Sequence, residues 1–185
     1  MQLIDVLSKR KCVRKFKSTG VSEKDILDIV ACSLNAPCAG GLFSVRVIVV
    51  NDKNKINKIA EACLGQEFIA NAPYVLVVCS DKKQTEKMYG KYSNDYLRQQ
   101  AGAAIENMFL RITDLKLATC WVGSFDENAV KRILEIPAEV DVEAVLPVGY
   151  SAEKTEKKFR PELNMILRHN SYKKKPYLIR KKIAT

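Results

Sequence analysis

A chain of 185 residues, with 47% hydrophobic and 28% charged residues, has the size and balance of one folded domain, which excludes a disordered or fibrous protein. No apolar run approaches the roughly 20 residues that span a bilayer. The opening Met1-Gln2-Leu3-Ile4-Asp5 lacks the basic, apolar and small-residue segments of a secretory signal, so a cytoplasmic protein with no membrane partner is expected.

The predicted elements follow in chain order. Residues 3 to 8 form a short helix that runs into the basic segment Lys9-Arg10-Lys11-Cys12-Val13-Arg14. Ser22 offers an N-cap with an acid three residues on, and Ile26, Ile29, Val30 and Leu34 fall at helical spacing before Pro37. Val45 to Val50 is a β-branched run that suits a strand covered largely on both faces. Ile56, Ile59, Ala60, Cys63 and Leu64 make a second helical stripe, closed by Gly65. Pro73 to Cys79 is the second strand.

Leu97, Ala101, Ala104, Ile105, Met108, Phe109, Ile112 and Leu115 mark the longest helix, whose alanines and Gly102 permit close approach either within the core or to a second copy. Thr119 to Phe125 reads as a strand, Asp126 caps a helix holding Val130, Ile133 and Leu134, and Val142 to Tyr150 is the fourth strand. A basic extension follows, with eleven Lys or Arg against two Glu from Lys154 onward, so the net charge of +10 belongs mostly to this end. One domain over 1–172 and a basic tail over 173–185 is the expected division.

The six cysteines are far apart, with no C-x-x-C pair and a single histidine, His169, which argues against a zinc site or a disulfide framework. Cys32, Cys63 and Cys79 lie among apolar neighbours and are expected in the core; Cys12 and Cys38 fall in polar segments. His169 is expected on the surface and Trp121, inside a strand, in the core. Tyr89, Tyr92 and Tyr96 read equally as an aromatic lid or as an ordinary surface loop. No strand leads through G-x-G-x-x-G into a helix, and the basic residues lack interleaved aromatics or a nucleic-acid module, so neither a Rossmann site nor a nucleic-acid partner is expected.

Six segments in order carry a resemblance. Arg10-Lys11-Cys12-Val13-Arg14-Lys15-Phe16 is similar to an R-R-S-x-R-x-F opening, and Ala36-Pro37-Cys38-Ala39-Gly40-Gly41-Leu42 to A-P-S-A-G-N-x-Q. Ala103-Ala104-Ile105-Glu106-Asn107-Met108 is similar to A-A-x-Q-N-x, Leu117 to Gly123 to G-L-G-x-C-W-I-G, Leu146 to Tyr150 to L-P-x-G-Y, and Phe159-Arg160-Pro161-Glu162 to a late R-x-P or R-P-x-E element. Together they resemble the nitroreductase family over residues 3 to 172.

The resemblance implies an α+β fold with a central mixed, mostly antiparallel sheet flanked by helices, built as an intertwined homodimer with FMN at the interface. Arg10, Lys11, Cys12 and Arg14 would hold the phosphate and ribityl chain, with Arg160 closing on the phosphate. Pro37, Cys38, Ala39 and Gly40 would come from the partner subunit and lie against the ring. For Cys38, a small residue that simply makes a tight turn is an equal reading. Val122 and Gly123 would offer backbone N–H groups near N5 and O4, where hydride transfer leaves charge that fixed donors stabilise. Cysteine at 12 and 38 stands where the family has serine, and a thiol is a weaker donor than a hydroxyl. Gly41 and Phe43 replace asparagine and glutamine.

The implied activity is that of an FMN-dependent oxidoreductase taking hydride from NADH or NADPH and reducing a nitroaromatic, quinone, flavin or similar acceptor. One open ring face implies a ping-pong order. Because flavin carries the chemistry, no acid–base set is needed from the protein. A flavin-holding or anion-binding protein with little turnover is the alternative.

Overall fold

The computed structural model describes residues 1–153 and 160–174. The contacts divide the chain into a compact unit, Met1–Glu153, and a second unit, Lys154–Thr185. Residues 175–185, most of the expected tail, lie outside the described residues. No helix among the described residues is long and apolar enough to cross a membrane.

In the first unit the elements run α1 (Leu3–Lys9), α2 (Glu23–Cys32), β1 (Val45–Val50), α3 (Lys53–Ala62), β2 (Tyr74–Asp81), α4 (Lys83–Tyr89), α5 (Ser93–Asp114), β3 (Ala118–Thr119), α6 (Glu127–Leu134) and β4 (Val140–Gly149). The strands are ordered β1-β2-β4-β3, and every neighbouring pair is antiparallel. The parallel component is a single bridge, Cys12 to Thr119. Helices and an antiparallel sheet thus make the α+β architecture.

The apolar residues of β2 explain how the layers form. Leu76 and Val78 join Ala144, Leu146 and Val148 of β4 in a core with Ile26 and Ile29 of α2 and Ala101, Ala104, Ile105, Met108, Phe109 and Ile112 of α5. On the opposite face, Val75, Val77, Cys79 and Val145 pack with Ile56, Ile59 and Ala60 of α3 and Val130 of α6. Alternate side chains of one strand feed two cores, so a continuous apolar run is required rather than an alternating one. The long helix buries one stripe, as its spacing predicts.

Several expectations are corrected. β1 is an edge strand, paired only with β2, so Arg46 and Val49 are exposed. Ser22 precedes α2 in extended conformation but makes no side-chain cap bond, whereas the Asp126 carboxylate accepts from Ala129 N at 3.0 Å as expected. The expected strand at 119–125 contracts to two residues and an isolated bridge, Val122 to Val145. With no strand covering it, Trp121 is 41% exposed, its ring edge-on to Phe109 with centroids 6.2 Å apart. The segment holding Tyr89 is a helix, α4, followed by a short 3-10 turn at Gly90–Tyr92. Cys32 is only half-buried, because α2 ends there and Asp28 and Arg111 flank it. Cys63 and Cys79 are core residues, and burial pushes both thiols up to about 12.

In the second unit, Leu163–Ile166 forms the short helix α7, and His169 is exposed as expected.

One half-buried carboxyl supplies a test. Burial lifts the Glu143 carboxyl above its ordinary value, with Ser80 and Arg98 pulling the other way. The native form therefore holds a proton at pH values where the unfolded chain has lost it, and stability rises as pH falls from neutral into that range. Glu143→Gln is expected to raise the melting temperature at pH 8, with the gain shrinking toward the ordinary carboxylate range. An unchanged or lowered melting temperature at pH 8 would contradict this account.

Candidate active site

The basic segment is fastened to the sheet by its backbone. Val13 N donates to Thr119 O at 2.8 Å, Lys17 N to Tyr150 O at 2.8 Å, and Ala152 N to Lys15 O at 2.8 Å. Val13 and Phe16 turn inward, packing with Phe68, Ala72 and Ala118. Arg14 is exposed, its guanidinium 5.9 Å from the centroid of the same Phe68 ring. Gly149 permits this seat, since a Cβ there would stand 2.8 Å from Pro73 Cδ and 3.2 Å from Phe16 Cδ1. An irregular basic loop is thereby held as firmly as a strand.

Arg10 closes the C-terminal end of α1, its N–H donating to Val6 O at 2.9 Å. Its side chain meets α5 through an ion pair, Arg10 Nε to Glu106 Oε1, at 3.4 Å. Lys11 and Cys12 are half-buried, and Cys12 packs against the core beneath α5. The Arg14 N–H donates to Glu153 Oε1 at 2.6 Å. Two carboxylates thus lie against this cluster, one ion-paired with Arg10 and one accepting from the Arg14 backbone N–H.

The parallel bridge between Cys12 and Thr119 sets the basic segment beside β3, three residues before Val122. The Val122 N–H is already committed, donating to Val145 O at 3.1 Å, because Val122 is bridged to β4. Of the two expected ring donors this leaves Gly123, which is exposed beside the Trp121 indole.

The Pro37–Gly40 turn is placed by other elements. Gly40 and Gly41 both have positive φ, 56° and 74°. A Cβ at Gly40 would run into the Tyr89 hydroxyl and lie 3.0 Å from Met88 Sδ, whereas one at Gly41 meets open space. Tyr89 is itself braced edge-on against Tyr96, with centroids 5.0 Å apart. Beyond the turn, the buried Gln100 of α5 accepts from Ser44 N at 3.0 Å, and the Ser44 and Thr85 hydroxyls are 2.8 Å apart. The turn is therefore docked on α4 and the first half of α5. Arg160 opens the described part of the second unit and is exposed.

The sequence pattern did not single out Glu153, Phe68 or Gln100 as neighbours of the expected site residues, since each is distant in sequence and meets them only through the fold. Glu106 lies inside a motif that was recognised, at the position of its glutamine.

Comparison with known proteins is consistent with this geometry. The nitroreductase family model matches residues 7–67 and 63–150. This chain belongs to the nitroreductase family. It is 30% identical over 162 residues to an Archaeoglobus fulgidus protein assigned as an NADH dehydrogenase/NAD(P)H nitroreductase, covering 85% of this chain and 89% of that protein. The FMN-dependent nitroreductase of Clostridium difficile superposes with a TM-score of 0.79 at 26% identity, over 91% of this chain and 99% of that one. Nitroreductase A of Vibrio parahaemolyticus shares the fold, with a TM-score of 0.84 at 19% identity, over 92% of this chain and 76% of that one.

The two glycines of the turn separate strain from collision. Left-handed backbone costs an L-residue about 1–2 kcal/mol, so Gly41→Ala is expected to lose about that much stability in urea unfolding. Gly40→Ala is expected to lose more, and Tyr89→Ala to recover the excess. Equal losses at the two positions would show that Tyr89 does not bear on the turn.

Proposed function

We propose that this member of the nitroreductase family is an FMN-dependent oxidoreductase that takes hydride from NADH or NADPH and reduces a small-molecule acceptor such as a nitroaromatic, a quinone or a flavin. The observation that carries the reading is the basic segment, pinned to the sheet edge, with Arg10 ion-paired to Glu106 and the Arg14 backbone N–H donating to Glu153. The donor set suits a phosphate dianion: Arg10, Lys11 and Arg14 supply charge, and a guanidinium can bind phosphate through two parallel hydrogen bonds. Cys12 belongs to the same proposed set, and the family resemblance adds Arg160. When bound, FMN supplies the hydride chemistry.

The chain's own residues then bind, orient and shield. Gly123 would offer its N–H to the flavin ring where negative charge develops, and such a fixed dipole stabilises charge without reorganising. Pro37, Cys38, Ala39 and Gly40 would form a wall contributed by a second copy, as the resemblance to the family implies. Exposed apolar residues on α1, Leu3 at 64% and Ile4 at 66%, suit burial against that copy in a homodimer. With one ring face open, the nicotinamide and the acceptor would share one place and react in a ping-pong order.

Anaerobic addition of NADH or NADPH to the yellow protein is expected to bleach it, with colour returning when a quinone is added. A yellow protein inert to both nicotinamides would instead be a flavin-holding protein, and a colourless one that refuses FMN would overturn the cofactor assignment. Arg14→Ala and Arg160→Ala are each expected to weaken FMN binding by about ten- to a hundredfold, the worth of a charge-assisted bond of about 1.5–3 kcal/mol. Lys82→Ala serves as the control. Equal affinity in all three variants would reject the phosphate assignment.

A further inference from the structure

The ion pair between Arg10 and Glu106 places a negative charge beside the cluster proposed to hold the flavin phosphate. Glu106 stands on α5 at the position where the family pattern A-A-x-Q-N carries a neutral glutamine. It is about half exposed and meets the guanidinium through Nε. A carboxylate there has two effects of the same sign. Without cofactor it competes for Arg10; with a phosphate in place it repels the dianion. A glutamine would keep an oxygen acceptor for Nε and so orient the guanidinium, while removing both penalties.

We infer that Glu106 is a positioning residue that limits, through Arg10, how strongly this protein prefers a phosphorylated flavin over an unphosphorylated one. The inference rests on the reading of Arg10 as a phosphate ligand. Riboflavin shares the ring and ribityl chain of FMN and lacks only the phosphate, so Glu106 bears on FMN and leaves riboflavin untouched. Glu153, which accepts from the Arg14 N–H, gives the same cluster a second internal carboxylate. The cluster therefore carries two carboxylates of its own beside its basic residues.

The test measures dissociation constants of FMN and riboflavin by flavin fluorescence on the full chain freed of flavin, for the native protein, Glu106→Gln, Arg10→Gln and the double variant. Ion pairs of this exposure couple by about two- to fivefold. Glu106→Gln is expected to tighten FMN by about that factor, leave riboflavin unchanged and steepen the loss of FMN affinity with salt. In the Arg10→Gln background the gain is expected to shrink toward nothing. An equal change for both flavins, no tightening of FMN, or an undiminished gain without Arg10 would overturn the inference. If Arg10→Gln leaves the FMN-to-riboflavin ratio unchanged, the phosphate reading itself fails. If that variant lowers the ratio and Glu106→Gln does not raise it, only the role of Glu106 fails.

Discussion

The pairing of β2 with β4 sets where everything else in the first unit can go. Tyr74–Asp81 and Val140–Gly149 exchange an antiparallel ladder along most of their length, and both faces of that pair are buried. Each face must therefore be covered, by α2 and α5 on one side and by α3 and α6 on the other. Every backbone N–H and C=O in such a pair has to be satisfied within the sheet, because a buried unpaired group costs as much as a lost hydrogen bond. Once β4 is fixed, its far edge accepts only short pieces: the two residues of β3, the bridge at Val122, and the 12–17 segment that follows them. The proposed phosphate site is built on that edge, which gives irregular backbone the order of a sheet without closing it off from solvent.

How much of this could be read from the residues depends on whether a signal is local. The stripes on α3 and α5 and the dense apolar runs of β2 and β4 are local periodicities, and they were legible. So was Asp126, whose carboxylate reaches a backbone N–H three residues on. The edge position of β1 was not legible, because Val-Arg-Val-Ile-Val-Val has the composition of a central strand and only the strand order leaves one side unpaired. Trp121 was misplaced for a related reason: its neighbours suit a strand, but the strand stops at Thr119 and the side chain emerges beside Gly123. The segment of α4 reads as polar and aromatic without a clear stripe, and its helix depends on contacts with α5 and the Gly40 turn.

The candidate site divides in the same way. The basic residues from Arg10 to Arg14 and the turn from Pro37 to Gly40 could be singled out by motif, since they are contiguous. Their partners are scattered: Phe68 precedes β2, Glu106 lies on α5 and Glu153 follows β4. A sequence names the donors of such a site, while the fold names the acceptors that occupy them. Val122 shows the converse, for a residue matching the family pattern spends its N–H on the sheet, donating to Val145.

The central claim is that the sheet edge holds a preformed anion site whose ligand is FMN and whose wall comes from a second copy. Hydrogen–deuterium exchange with and without FMN tests it most directly. The amides of Val13 and Lys17 are expected to be protected without cofactor, because both donate to the sheet. Addition of FMN is expected to increase protection at 10–14, 37–40 and 123 together, while α6 stays unchanged. Protection confined to one of those segments, or appearing on α6 instead, would contradict the account.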